Sequence, residues 1–258
     1  MFKKLFDNPQ IKNLGIDSPQ RAEVTKSIIQ NKAFLKKIYL EWYHEIYARI
    51  STINGPILEI GTGGGFLKEI IPQIITSEVF YSSNINLVLN AINLPFKNNS
   101  IKSIILIDVF HHISQTNFFL KEVCRCLCPG GQIIMIEPWY TPWSNLIFSK
   151  LHHEPFNPKA RDWSFSTTGP LSGANGALPW IVFQRDKTLF EKQFPDLFIK
   201  DIKLSMPLRY LLSGGISKRS LMPGWSFSFW CMLENIFSFA INQTAMFALI
   251  NLQMKTDD

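Results

Sequence analysis

The run Ile57-Leu58-Glu59-Ile60-Gly61-Thr62-Gly63-Gly64-Gly65-Phe66-Leu67 has the residue types that let a backbone close on a ligand. Its apolar start reads as a buried strand, its glycines as a sharp turn and its continuation as a helix over 65–75. Glycines at 61, 63 and 65 place no Cβ between main chain and ligand, and they permit the positive φ of a tight elbow. A helix behind them would present unpaired N–H groups at its positive end, where the phosphates or sugar of a nucleotide are favoured. A dinucleotide fingerprint needs Gly or Ala at the last position of G-x-G-x-x-G, and counted from Gly61 that position is Phe66. A hydride-transfer enzyme with a nicotinamide cofactor is therefore a poor fit.

The elements that must hold this elbow follow from hydrophobic periodicity. Residues 22–50 carry Ile28, Leu35, Ile38, Tyr39, Trp42, Ile46, Tyr47 and Ile50 at helical spacing, which predicts an N-terminal helical cap over 1–54 able to close over a ligand. From 55 to 258 the pattern alternates: strand 57–60, helix 65–75, strands 78–82, 86–90 and 101–107, helix 115–127, strand 131–137. That is the βα alternation of an α/β doubly wound, mostly parallel sheet. The interval between the second and third strands is too short for a full crossover helix, so a loop or truncated helix is expected there. Residues 138–183 are rich in Pro, Gly, Ser, Asn and Trp, and this long insertion after the fifth strand reads as a binding loop that sets substrate selectivity. A helix near 186–194, a strand near 198–206, an aromatic helix near 226–240 and a last strand over 245–252 complete the chain.

The chain has 258 residues, 46% of them hydrophobic, enough for one sizeable core with embellishments. Its formal charge of +6 is concentrated at the start, where the first fifty residues hold nine Lys or Arg against five Asp or Glu. Such a segment suits a solvated helix face or an anionic surface. Cys124, Cys126 and Cys128 do not share one helical face, and C-x-x-C is absent from the sequence, so they read as small packing residues of a reducing cytoplasm rather than a metal or redox site. Met1–Asp7 lacks the apolar stretch of a signal peptide. The apolar region from Trp225 to Leu252 is broken by Glu234, Asn235, Asn242 and Gln243, which suits a buried helix or one lying in a membrane interface rather than a span.

Four segments in order resemble the class I S-adenosylmethionine-dependent methyltransferase family, type 11 in particular: the acid-x-Gly-x-Gly-x-Gly of Glu59 to Gly65, Asn90-Ala91-Ile92-Asn93-Leu94-Pro95-Phe96, Ile104 to His112, and Arg125-Cys126-Leu127-Cys128-Pro129-Gly130-Gly131. The resemblance covers about residues 55–138. Leu151–Phe156 and the Leu212-Ser213-Gly214-Gly215 loop further resemble a bacterial subgroup of methyltransferase-like proteins. It implies a seven-stranded Rossmann-like sheet and S-adenosyl-L-methionine as cofactor, held by Glu59, Gly61, Thr62, Gly63, Gly65 and Asp108. It also places Asn84 where an acid usually holds the ribose hydroxyls and Asn90 where an acid often sits near the adenine, so two charged acceptors are read as neutral amides. Each change is worth about 1 kcal/mol of cofactor affinity.

Methyl transfer needs an in-line nucleophile more than it needs a base. For a hydroxyl or amine acceptor the candidate bases are Glu137, His112 and His152, with His111, His153 and Glu154 beside them, and no metal is expected because a third ligand at useful spacing is not apparent. The expected activity is methylation, at O or N, of a small-molecule or lipid-linked acceptor by a cytoplasmic protein that contacts the inner membrane peripherally, and nucleic acid is a less suitable partner. The alternative is a non-catalytic binding or scaffold protein that kept the fold with a degenerate cofactor site.

Overall fold

The computed structural model describes residues 8–11, 14, 15, 18, 20–83, 85–152, 154–169 and 172–256. The readings placed on Met1–Asp7, Asn84 and His153 lie outside these residues. Two helices, α1 (Gln20–Asn31) and α2 (Ala33–Tyr47), precede the sheet. Then follow β1 (Ile57–Ile60), β2 (Ile75–Glu78), β3 (Leu87–Val88), β4 (Ile101–Ile107), α3 (Thr116–Cys126), β5 (Leu127–Pro138) and α4 (Pro142–Leu151). After a long loop come α5 (Leu178–Trp180), α6 (Lys187–Gln193), β6 (Leu197–Ser205), α7 (Arg209–Ser213), α8 (Phe227–Ile236), α9 (Ile241–Thr244) and β7 (Phe247–Met254). Their order in the sheet is β3-β2-β1-β4-β5-β7-β6. The first five strands pair in parallel, whereas β7 inserts antiparallel between β5 and β6.

Alternation along the central strands divides the core. Leu58, Ile104, Leu106, Ile133 and Met135 meet Phe119, Leu120 and Val123 of α3 together with Leu178, Phe183 and Phe190. Ile57, Ile105, Ile134 and Ile136 meet Phe34, Leu35, Ile38, Trp42 and Ile46 of α2 on the other face. Fully burying side chains of this size contributes roughly 1.5–3 kcal/mol each, so α2 is a structural layer of the sheet and not a detached cap.

That packing explains the first departure from expectation. The helix predicted over 65–75 is only a 3-10 turn, Leu67–Glu69. Pro72 disfavours helical backbone at Ile71, and the β-branched run Ile74-Ile75-Thr76 enters β2, which therefore ends at Glu78 where a strand over 78–82 was expected. The face that a crossover helix would cover is taken by α2, with Phe66, Leu67, Ile71 and Ile74 packed beneath it. Of the two readings of the aromatic segment, a buried helix and one lying in a membrane interface, the first is not met: Phe229, Met232 and Ile236 of α8 are exposed, as are the flanking Trp225 and Phe239, and only Glu234 of the helix is buried. Among the described residues no helix is long and apolar enough to cross a membrane.

Candidate active site

The glycine loop is fixed by hydrogen bonds on three sides. Gly61 and Thr62 both donate their N–H groups to the Ser77 carbonyl at 3.0 Å, tying the turn to β2. Phe66 N–H donates to the Tyr43 hydroxyl at 2.9 Å, tying it to α2. Gly63 N–H donates to Oε1 of Glu78, the last residue of β2, whose Oε2 also accepts from Val79 N–H. Gly63 has φ of +51°, and a Cβ there would make only ordinary contact, 3.7 Å from Glu78 Oε1, whereas at Gly64 a Cβ would lie 2.4 Å from the Lys26 backbone nitrogen and 2.5 Å from Thr25 Cγ2. The loop thus offers one bare edge to ligand and seats α1 with the other.

Two carboxylates flank this edge. Glu59 is 2% exposed and accepts a hydrogen bond from Thr62 Oγ1 at 2.9 Å. Burial pushes its carboxyl up to about 7, against the pull of that hydroxyl. Burial also raises Glu78, while the N–H groups of Gly63 and Val79 hold it down.

Glu59, Gly61 to Gly65 and Glu78 border a cavity of about 920 Å³, near the top of the roughly 300–1,000 Å³ range of small-molecule sites. Phe80, Tyr81 and Ser82 line it beyond β2, as do Tyr39, Asp108, His112, Phe148, His152 and Glu154 from other parts of the chain. Residues 214–219 border it as well, bringing Lys218 and Arg219, with Arg21 of α1 lining another part. Asp108 sits at the end of β4 with φ of +60°, and burial raises its carboxyl to about 7.

His112 and Glu154 belong to a chain of acids and imidazoles. Glu137, fully buried at the end of β5, accepts on Oε1 from the N–H groups of Val109 and Phe110 at 2.9 and 2.7 Å, and its Oε2 stands 2.7 Å from His111 Nδ1. His111 Nε2 is 3.4 Å from Glu154 Oε2, an ionic approach rather than a formed hydrogen bond. His112 Nδ1 is 3.0 Å from the Gly173 carbonyl, and its Nε2 is 3.8 Å from Glu154 Oε1. Burial alone would lower His111, but the Glu137 and Glu154 carboxylates outweigh it and hold the imidazole well above its usual value. Burial, reinforced by the charge of His111, drops His112 to about 4, so it is neutral near pH 7. Burial would raise Glu154, yet the surrounding histidines, His111 foremost, keep it well below the usual carboxylate range.

Residues 58–135 match the family model of a methyltransferase domain. This is the segment that holds the glycine loop, β1 to β4, both histidines and most of β5. This stretch of the chain is therefore similar to a methyltransferase domain. Curated relatives include the probable tRNA methyltransferase 9B of Bos taurus and of Homo sapiens, each 32% identical over 107 residues, 36% of this chain and 23% of theirs. The chain thus spans less than a quarter of the length of the curated relatives it matches. Among solved structures, the geranyl diphosphate C-methyltransferase of Streptomyces coelicolor superposes with a TM-score of 0.53 at 12% identity, over 96% of this chain and 92% of that one. The phosphoethanolamine N-methyltransferase 2 of Haemonchus contortus gives 0.51 at 13% identity, over 96% and 59%. At such identities these likenesses concern the fold alone.

Within the methyltransferase fold, Glu59, Gly61, Thr62, Gly63, Gly65 and Asp108 converge on one cavity, as do His112 and His152. Two expected site residues do not. Asn90 lies outside the cavity, where its side chain accepts from Ile92 N–H and its backbone bridges to Asn93, so it closes its own turn. Glu137 has both carboxylate oxygens engaged and is not in the cavity wall, so it positions His111 and the backbone after β4 and is not a base toward ligand. The low basicity of His112 makes it a weak proton acceptor as well. Sequence reasoning did not single out Glu78, a carboxylate that lines the cavity from the end of β2, six positions before Asn84. Glu154 also gains weight, because the fold carries His111 and His112 to it from the distant end of β4.

Proposed function

We propose that this methyltransferase passes the methyl group of S-adenosylmethionine to the oxygen or nitrogen of an amphiphilic, lipid-linked acceptor at an anionic membrane surface. The observation that carries the cofactor assignment is the pairing of a bare Gly63 edge with the carboxylates of Glu59 and Glu78 on one wall of the cavity. A ligand with a cationic head and ribose hydroxyls suits that wall, Glu78 being the acceptor for the hydroxyls and Phe80 and Tyr81 the apolar surface beyond it. Bound there, S-adenosylmethionine supplies an electrophilic methyl carbon on a sulfonium sulfur. The protein's share is then orientation and exclusion of water by Tyr39, Phe148 and Met246 around the cavity. A retained acid at the end of β2 argues against the degenerate-site alternative, which rested on the loss of two acids, at positions 84 and 90.

Support for an amphiphilic acceptor comes from the part of the chain beyond residue 135, where the family match ends. Residues 214–219 and Leu221 line the cavity and lead into the exposed side chains Trp225, Phe229, Met232, Ile236 and Phe239. These recur every three or four residues and form one apolar stripe. Such a stripe, following Arg219 in the chain, suits insertion at an interface, where a cation next to anionic lipid adds about 1 kcal/mol.

Calorimetry with S-adenosylmethionine, S-adenosylhomocysteine and NADH tests the cofactor: binding of the first two and not the third is expected. Sedimentation with anionic and neutral vesicles tests the surface, with salt-sensitive binding to the anionic set expected. Cofactor binding without vesicle binding would leave a soluble acceptor, a small molecule or an RNA, as the better reading.

A further inference from the structure

The acid and imidazole chain bordering the cavity has the donor set of a metal site. His111, His112 and Glu154 each offer one ligand atom, and these atoms lie within 4.8 Å of one another. The Glu154 carboxylate stands 3.4 Å from His111 Nε2 through Oε2 and 3.8 Å from His112 Nε2 through Oε1. Ligands about 2.1 Å from a tetrahedral ion stand about 3.4 Å apart, so the gap is close to that of a chelate before an ion draws it in.

A second observation is independent of this proximity. Each imidazole has its Nδ1 engaged away from the cluster, His111 with the Glu137 carboxylate at 2.7 Å and His112 with the Gly173 carbonyl at 3.0 Å. Those bonds fix both rings with Nε2 toward Glu154. Carboxylate or carbonyl on one ring nitrogen and metal on the other is how metal-binding histidines are held. Moreover His111 is fully buried, and its Nε2 has no hydrogen-bond partner among the described residues. A buried ring nitrogen that faces a carboxylate at 3.4 Å and a second imidazole, without a formed hydrogen bond to either, fits a site shaped for an ion.

We infer that His111, His112 and Glu154 bind a divalent transition ion of the Zn²⁺ type, with Glu137 as the residue that orients His111. Two imidazole nitrogens and one carboxylate favour such an ion over Mg²⁺ or Ca²⁺, which take oxygen ligands. Three protein ligands leave a coordination position open, and His112 and Glu154 both line the cavity, so that position faces a bound molecule. It would take an oxygen of the acceptor, from a hydroxyl, carboxylate or phosphate. Ion binding itself does not depend on which acceptor is methylated or on the cofactor assignment, so it is tested without either.

The full chain, stripped with a chelator, is titrated with Zn²⁺ against a chromophoric competitor and, separately, with Co²⁺ followed by visible absorption. The expected result is one Zn²⁺ per chain at micromolar affinity or tighter, with Co²⁺ bands of four- or five-coordinate nitrogen and oxygen ligation. His112→Ala and Glu154→Gln, both at the cavity wall, should each weaken Zn²⁺ at least 100-fold, and Glu137→Gln about 10- to 100-fold. Zn²⁺ affinity in the parent no better than millimolar, Zn²⁺ binding unchanged in both wall variants, or Co²⁺ bands with thiolate charge transfer would each overturn the assignment. The parent's Co²⁺ spectrum decides the question even if a variant fails to fold.

Discussion

The Tyr43 hydroxyl accepts a hydrogen bond from the backbone N–H of Phe66 at 2.9 Å, so the end of the glycine loop hangs from helix α2 and not from a helix of its own. The Phe66 ring packs edge-on against Tyr43 at 4.8 Å, completing the clamp. Tyr43→Phe would keep the ring and leave a buried N–H unsatisfied, at a cost of about 1–3 kcal/mol. Urea unfolding of the apo protein should show a loss of that size. Affinity for S-adenosylmethionine should fall with it, since the loop loses its tether. Unchanged stability together with unchanged affinity would mean that the loop is held by its β2 bonds alone.

Glu78 is the counterpart on the ligand side. Its carboxylate accepts from Gly63 N–H, which ties the glycine loop to the end of β2. Glu78→Gln retains an acceptor and removes the charge, so the expected loss of cofactor affinity is about 1–2 kcal/mol, roughly 5- to 30-fold, with little change in fold. Isothermal titration of parent and variant reads this directly. Equal affinities would place the ribose elsewhere.

These two residues mark where the sequence was legible and where it was not. β1, β4 and the second half of β5 are apolar runs with clear ends, and the glycines between Ile60 and Phe66 have few other uses, so the loop and the sheet centre could be read directly. Glu78 was missed because Val79-Phe80-Tyr81 prolongs a strand-like pattern past it. Only the hydrogen bonds from Gly61 and Thr62 to Ser77 show that β2 has already ended beside the loop. The helix expected after the glycines failed on tertiary grounds, since α2 supplies the same apolar cover from upstream in the chain. α8 could be read two ways for a different reason: its stripe has helical period, and periodicity does not say whether a face meets protein or surroundings. His111 and Glu154 share no sequence spacing at all, because a fold brings them together across the whole of β5 and α4.

Arg209 joins the parts of the chain that surround the cavity. From α7 it donates Nε to Glu234 of α8 at 2.5 Å and both terminal nitrogens to Glu41 of α2, while Glu234 Oε1 accepts from the N–H groups of Leu208 and Arg209. Arg209 and Glu234 are buried, so removing the guanidinium strands a carboxylate away from water. Arg209→Ala should cost about 3–5 kcal/mol in chemical unfolding. Arg209→Lys, which keeps the charge but not the fork, should recover part of it. A loss below about 1 kcal/mol in the Ala variant would show that α7 and α8 are held by apolar contacts alone.

Glu59 makes the pH dependence of the apo protein a test of the site. Its carboxyl rises from an ordinary value of 4.5 to about 7 on folding, chiefly through burial. For an acid so raised, the folded state holds its proton more tightly than the unfolded chain. Below 4.5 both states are protonated and the residue adds no pH dependence. Between 4.5 and 7 the unfolded chain has released the proton and the folded one has not, so stability falls as pH rises, by up to 1.36 kcal/mol per unit and about 3 kcal/mol in total. Glu59→Gln cannot ionise, so its unfolding free energy should decline less across that window, and the two curves should diverge steadily from pH 4.5 to 7. A cationic ligand on this wall favours the ionised carboxylate, so binding near pH 6 should release protons from the parent and not from the variant. Calorimetry in buffers of different ionisation enthalpy measures that release, and parallel stability curves with equal proton counts would show that Glu59 neither carries the raised affinity for a proton nor faces the ligand's charge.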